Sequence, residues 1–219
     1  MIAGELLAKN FIAAQTSDTA RAVLLSMNEQ YVKHLPVLKD NQYVCIISEE
    51  DLLNNSLEVE VGALVNPENR PLLHRTDHLF KIMGLFAERQ LSVLPVLDEK
   101  DQYLGSLLQE EIVDYYSKSF AYADPGSVMV LEMTRRDYEL STIARIVESE
   151  GGKILCAFVS KGAIPDQMIL TLKIDKMQIQ EINETLDRMG YTIKAVYEET
   201  AYSDILQERY DALMHYLNV

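Results

Sequence analysis

The stretch HLPVLKDNQYVCIISEEDLL, residues 34–53, returns later in the chain as VLPVLDEKDQYLGSLLQEEIV, residues 93–113. In both copies an apolar segment with Leu-Pro-Val leads through a polar turn into a second apolar segment, and acidic residues follow. Short apolar runs between turn-forming residues favour buried strands. Each copy is therefore predicted to form two strands, joined by a tight turn and followed by a helix, and the duplication indicates two copies of one structural unit.

The similarity extends towards the N terminus of both copies. Residues 16–30 (TSDTARAVLLSMNEQ) align with residues 75–90 (RTDHLFKIMGLFAERQ), and both stretches have the apolar spacing of an amphipathic helix. The candidate N-caps are residues whose side chains can accept from free helix amides: Ser17 or Asp18, and Thr76 or Asp77. Two such units are expected to share one domain, residues 1–118, with repeats at about 1–58 and 59–118.

The first copy carries a motif that resembles the ribose-binding pattern of the tandem CBS domain family, the Bateman module. That pattern is a small residue, two apolar residues, Ser or Thr, two variable residues and Asp. CIISEED, residues 45–51, fits it with Ser48 and Asp51. The resemblance implies a bound adenine nucleotide (AMP, ADP or ATP) or S-adenosylmethionine, with the ribose held by Ser48 and Asp51. It also implies that Lys33 and His34 lie beside the phosphates, and it requires no metal.

The second copy, GSLLQEE, departs from the pattern. Leu108 stands in the hydroxyl position, Glu111 replaces the Asp, and Ser92 and Val93 precede the strand in place of a basic pair. We therefore expect the ligand in the first copy. A second interpretation of the first motif stays open, because S-x-x-D is also a capping box that satisfies helix amides without any ligand.

The pattern changes after Asp124-Pro125-Gly126. Residues 127–199 are predicted to form strand, helix, strand, strand, helix and strand, the ferredoxin-like order. This segment resembles an ACT domain, a regulatory module that often binds amino acids. Residues 119–126 are predicted to form a linker, and the apolar spacing of residues 200–219 predicts a C-terminal helix.

The turn after the first strand of this segment departs from the amino-acid-binding ACT pattern. Glu139 stands where that pattern has a glycine, so a side chain there opposes close approach of backbone to ligand. We therefore favour an interaction role for the ACT-like domain. Arg135 and Arg136 could hold a carboxylate, or they could lie in a solvated turn.

Composition limits the classes of function. A net charge of −14 without a basic cluster is not typical of nucleic-acid binding. No apolar run is long enough for a membrane helix, and two distant cysteines in apolar segments indicate buried free thiols, so we expect a cytoplasmic protein. The sequence contains no motif of a catalytic or metal site, so we expect no enzyme activity and no metal site.

The predicted fold class is α+β: a tandem CBS pair, a ferredoxin-like βαββαβ domain and a C-terminal helix. Chains of this build resemble the acetoin-utilisation type of CBS–ACT protein. The resemblance implies a cytoplasmic regulatory protein that binds an adenosyl ligand in its first CBS cleft and acts on the ACT-like domain or on a partner protein. A homodimer is expected, without nucleic acid or membrane. The alternative is a non-catalytic dimerisation module whose ligand sites are vestigial.

Overall fold

The computed structural model describes residues 1–119, 121 and 124–198, which belong to two compact units that meet in sequence at residues 116 and 117. The predicted C-terminal helix, residues 200–219, lies outside the described residues. The repeats contain these elements in chain order: β1 (Ala14–Gln15), α1 (Ala20–Glu29), β2 (His34–Lys39), β3 (Gln42–Ser48), α2 (Glu49–Leu53), β4 (Leu73–His74), α3 (Leu79–Arg89), β5 (Val93–Leu97), β6 (Tyr103–Leu108) and α4 (Gln109–Ser119).

Each repeat forms a three-stranded sheet, in the order β1-β2-β3 in the first and β4-β5-β6 in the second. The duplicated segments form the antiparallel hairpins β2–β3 and β5–β6, as predicted. The first strand of each sheet runs parallel to the second and has only two residues. The sequence did not predict these short strands, because two residues cannot show a periodicity.

Each repeat contributes apolar side chains to the core of the other. Ile46 of the first repeat packs in the core of the second, whereas Val93 and Leu108 of the second repeat pack in the core of the first. The strands are therefore buried on both faces, which explains why their sequences are almost continuously apolar.

Several contacts relate the repeats by a pseudo-twofold axis. The N–H of Ala3 donates to the carbonyl of Asp77 at 2.9 Å, and the N–H of Val61 donates to the carbonyl of Asp18, the aligned residue, at 2.8 Å. The leading segment of each repeat thus docks on the turn before the first helix of the other repeat. Gln42 and Gln102, which are aligned in the two hairpins, form an isolated antiparallel bridge. The predicted pairing of two similar halves is therefore present.

The predicted helix caps were wrong by one or two residues. Thr19 caps α1, since its Oγ1 accepts from the N–H of Ala22 at 3.3 Å. The carboxylate of Asp18 instead accepts from the N–H of Gln15 at 2.7 Å and closes the turn before the helix. In the second repeat His78 is the cap of α3.

The second unit has the predicted βαββαβ order, which confirms the ferredoxin-like fold and the α+β class. The elements are β7 (Ser127–Thr134), α5 (Leu140–Ser149), β8 (Ile154–Lys161), β9 (Gln167–Ile174), α6 (Gln180–Arg188) and β10 (Thr192–Tyr197). The four strands form an antiparallel sheet with the order β10-β7-β9-β8.

The core of the second unit lies between the sheet and its two helices. Met129, Leu131 and Met133 alternate along β7 and pack with Ile143 of α5 and Ile182 of α6. The period of two along the strand and the helical spacing of the apolar residues place them all on one side of the sheet.

The two cysteines are free thiols, as predicted. Cys45 is buried in β3, but Cys156 is only partly buried. The prediction of burial was wrong for Cys156 because β8 lies at the edge of its sheet, with one neighbouring strand instead of two.

Candidate ligand site in the first repeat

The motif residues lie where β3 ends and α2 begins. Ser48 is the N-cap of α2, and its extended backbone turns the chain out of the strand. Its Oγ accepts from the N–H of Asp51 at 3.1 Å, and the carboxylate of Asp51 accepts from the N–H of Ser48 at 2.9 Å. The Ser48 hydroxyl also donates to Asp51 Oδ2 at 2.6 Å. The capping box expected from the sequence is therefore formed.

The cap leaves part of the Asp51 carboxylate accessible. All hydrogen bonds described for this carboxylate reach Oδ2, and the residue is exposed. Two carboxylate oxygens provide about four acceptor positions, so Oδ1 can accept from a ligand hydroxyl while Oδ2 holds the cap. The capping and ligand interpretations are thus compatible in one geometry.

Lys33 and His34 lie next to the motif, at the start of β2. His34 is paired in register with Ser48, and the carbonyl of Lys33 accepts from the N–H of Glu49 at 2.9 Å. The exposed side chain of Lys33 and the half-buried ring of His34 are therefore held close to the first turn of α2. The hairpin thus brings all four predicted site residues together.

His34 is also engaged by the second repeat. Its Nδ1 accepts from the N–H of Ser92 at 3.2 Å and lies 3.1 Å from the Ser92 hydroxyl oxygen. The same hydroxyl oxygen accepts from the N–H of Lys33 at 3.0 Å. Nδ1 is therefore occupied, and only the Nε2 side of the ring is left to face a ligand.

The environment of His34 favours the neutral ring. Burial lowers the pKa of His34 below its usual value of 6.5, the carboxylate of Asp51 opposes this change, and the Lys33 ammonium adds to it. Desolvation disfavours a cation more than one exposed carboxylate stabilises it. His34 is therefore an uncharged hydrogen-bonding group near neutral pH.

Ser92 lies at the candidate site and was not revealed by the sequence. By alignment it is only the second-repeat equivalent of Lys33. The pseudo-twofold axis brings these two equivalents into contact, so Ser92 lies at the first site and holds both Lys33 and His34. The duplication was the signal in the sequence that could have revealed this contact. When two equivalent strands meet at a twofold axis, the residues at their starts lie close together.

The equivalent position in the second repeat is built differently. Leu108 has no hydroxyl, and its side chain is only 7% exposed and packs in the first-repeat core. Glu111 follows on α4, and no capping box is described for this helix. The geometry thus agrees with the sequence difference between the two copies.

The second unit contains an open cleft of about 940 Å³ at the turn after β7. Its charged lining is mainly acidic, because Arg136 is accompanied by four carboxylates: Glu132, Asp137, Glu139 and Asp166. Burial and the Glu139 and Asp137 carboxylates raise the pKa of Tyr191 in this cleft above its usual value. Such a lining opposes a carboxylate ligand.

Arg135 lines a neighbouring cleft of about 700 Å³ together with Lys161. Arg135 and Arg136 therefore line two neighbouring clefts. Within residues 1–119, 121 and 124–198, no group of three His, Cys, Asp or Glu side chains could hold a metal ion. In the same part of the chain, no helix has the length and apolar character needed to cross a membrane.

Comparison with known proteins adds the family. A family model described as "CBS domain" matches residues 3–58 and 63–118. A crystallised CBS domain pair/ACT domain protein from Thermotoga maritima has 23% sequence identity and a TM-score of 0.50, and the match covers 55% of this chain and 100% of that chain. At this identity the likeness establishes a shared fold.

Two further solved structures are similar. CBSX2 in complex with AMP has 23% identity and a TM-score of 0.47, with 53% of this chain and 96% of that chain covered. The cytosolic domain of the Mg²⁺ channel MgtE in complex with ATP has 20% identity and a TM-score of 0.44, with 52% and 48% covered.

Proposed function

We propose, for a chain that belongs to the CBS domain family, that the first repeat binds an adenine nucleotide or a related adenosyl ligand and that the chain is a regulatory protein. The observation that carries the proposal is the Ser48–Asp51 pair. It is present in one repeat only, beside Lys33 and His34, and it keeps a carboxylate oxygen accessible.

A ribose suits this arrangement because it presents two adjacent hydroxyls. The Asp51 carboxylate can accept from both hydroxyls, and hydrogen bonds to a charged acceptor are stronger than neutral ones. The Lys33 ammonium, on the same edge of the site, is the group suited to a phosphate. AMP, ADP, ATP and S-adenosylmethionine all contain the ribose, so the site favours adenosyl ligands as a class. Differences in affinity within this class would depend on the phosphate or sulfonium group.

Regulation would follow from the contacts between the repeats. The proposed site includes Lys33 and His34 of the first repeat, and both are held by Ser92 of the second repeat. A ligand that binds one packing of the repeats more tightly than another shifts the population towards it. We propose that this shift is passed to the ferredoxin-like unit or to a partner protein, in a non-catalytic role.

Removal of both ribose hydroxyls from the ligand is expected to weaken binding by roughly 100-fold or more, since each of the two hydrogen bonds to the carboxylate contributes about 1.5–3 kcal/mol. We would titrate the full chain with AMP, ATP and S-adenosylmethionine by calorimetry, and then with 2′,3′-dideoxyadenosine monophosphate as the matched control for AMP. Equal affinity for AMP and its dideoxy analogue would show that the ribose is not recognised by Asp51.

A failure of all three ligands to bind would favour the alternative function, a dimerisation module with vestigial sites. One observation supports that alternative: the Ser48–Asp51 pair already satisfies its own helix cap and needs no ligand for stability.

A second copy of the chain is the proposed partner for an exposed apolar surface on the second repeat. Phe80 and Met83 of α3 are 74% and 40% exposed, and Val113 of α4 is 66% exposed. The two helices touch where the Tyr116 hydroxyl of α4 lies 2.7 Å from the Met83 sulfur of α3, and large apolar side chains exposed on neighbouring helices are typical of an interaction surface. The duplicated build of the chain is compatible with a symmetric homodimer.

Phe80→Glu is expected to convert the dimer to a monomer, because a buried carboxylate at the centre of an apolar interface has no partner. Sedimentation velocity at tens of micromolar would give the mass of two chains for the wild type and of one chain for the variant. Ile164→Glu, at an apolar residue of the second unit that is 64% exposed, should remain dimeric. A monomeric wild type, or a Phe80→Glu variant that still dimerises, would contradict the proposal.

A further inference from the structure

The contact between Lys33, His34 and Ser92 joins the two repeats at one point of their shared boundary. Ser92 uses both its backbone and its side chain there: its N–H donates to His34 Nδ1 at 3.2 Å, and its Oγ accepts from the N–H of Lys33 at 3.0 Å. The aligned position has no equivalent of this bond, because Val93 occupies the place of His34 in the second repeat. The hydrogen bond made by the ring is therefore unique to one side of the pseudo-twofold axis.

The bond from the Ser92 N–H requires a lone pair on His34 Nδ1. A neutral ring with its proton on Nε2 has that lone pair, whereas an imidazolium ring carries a proton on both nitrogens and is a donor only. The hydroxyl of Ser92 could turn to accept from a protonated Nδ1, but the Ser92 N–H would then lose its acceptor. Protonation of one ring therefore breaks a hydrogen bond between the two repeats.

We propose that His34 is a proton-controlled latch between the two CBS repeats, closed on the Ser92 N–H when the ring is neutral and open when the ring is protonated. The latch concerns the packing of the repeats and does not depend on nucleotide binding. Because His34 is in register with Ser48, its opening would also alter the proposed ligand site.

The groups around the ring support two distinct states. The carboxylate of Asp51, on α2, favours the imidazolium form of His34. The ammonium of Lys33, the residue directly before His34, disfavours it. Ser92, which contacts the ring from the second repeat, has no titratable side chain. A protonated ring therefore exchanges its bond with Ser92 for attraction to Asp51, on the side of the ligand site.

The sign of the pH dependence follows from the folded state. Burial lowers the pKa of folded His34 below the 6.5 of an unperturbed histidine, so the unfolded chain binds the proton more readily. The contribution of the latch to stability is complete above the pKa of the unfolded state. It is lost as the pH falls below that value and through the lower pKa of the folded state.

Thermal denaturation of the full chain at several pH values tests the latch. His34→Asn retains an acceptor oxygen for the Ser92 N–H but cannot be protonated. Between about pH 7.5 and about pH 5.5, the wild type is expected to lose roughly 2–4 °C more in melting temperature than His34→Asn. His74→Asn, at an exposed histidine of the second repeat, is the matched control and should follow the wild-type curve. Parallel curves for the wild type and His34→Asn would overturn the proposal.

Nuclear magnetic resonance gives an independent test that needs no variant. As the pH is lowered, the amide resonance of Ser92 should shift with the same midpoint as the His34 ring. At pH values below that midpoint, the hydrogen-exchange protection of the Ser92 amide should decrease, after correction for the intrinsic exchange rate. A ring that titrates while the Ser92 amide is unaffected would show that the bond does not depend on the proton.

Discussion

Asp51→Ala is expected to weaken nucleotide binding by about 100-fold, whereas Glu111→Ala, the aligned change in the second repeat, should leave it unchanged. In the proposed site the alanine variant would lose a carboxylate that accepts from two ribose hydroxyls, and bonds of this kind contribute about 1.5–3 kcal/mol each. A loss of about 3 kcal/mol corresponds to a factor of about 100 in the dissociation constant. Titration calorimetry of both variants with AMP, ATP and S-adenosylmethionine measures the effect.

The control is needed because Asp51 also closes the cap of α2. Loss of a cap typically destabilises a protein by about 0.5–2 kcal/mol, so melting temperatures alone would mix stability with binding. Asp51→Asn retains an oxygen for the cap and removes the charge, and its affinity should lie between those of the wild type and Asp51→Ala. The ribose assignment would be wrong if Asp51→Ala binds like the wild type, or if Glu111→Ala loses as much affinity.

The sequence predicted most of the regular structure because its signals are local. The duplicated hairpins and the ferredoxin-like order follow from apolar runs and from turn residues that act within a few positions along the chain. The helix caps were misplaced for a local reason as well. Asp18 has a competing partner three residues earlier, the N–H of Gln15, and composition alone cannot decide between a cap and a turn.

The parts of the site that the sequence did not predict depend on contacts between the repeats. Ser92 and Lys33 are 59 residues apart in the chain and meet through the pseudo-twofold axis. Pairing the copies by alignment shows which residues are equivalent but not which of them touch. The motif residues Ser48 and Asp51 were predictable because one turn of chain sets their geometry, whereas the environment of His34 required the packing of two hairpins.

Gly126→Ala is expected to have the largest effect on the second unit, with a loss of stability of about 3 kcal/mol or more. Gly126 precedes β7, which lies between β9 and β10 in the sheet. Its φ of +151° is rarely adopted by residues with a side chain, and a Cβ there would overlap the carbonyl oxygen of Ile174 on β9. Relief of this overlap requires β7 and β9 to move apart at the position where Ser127 pairs with Ile174.

Gly151→Ala separates the two causes of this effect. Gly151 also has a positive φ, +75°, but beyond its two chain neighbours no atom lies within 4 Å of the point that an added Cβ would occupy. Its replacement introduces backbone strain alone, which costs about 1–2 kcal/mol. Hydrogen exchange followed by mass spectrometry should show faster exchange in the β7 and β9 peptides of Gly126→Ala, with both strands little changed in Gly151→Ala. Equal protection of β7 and β9 in Gly126→Ala and the wild type would mean that the sheet tolerates the added carbon, and that the close approach of Gly126 to Ile174 does not hold these strands in register.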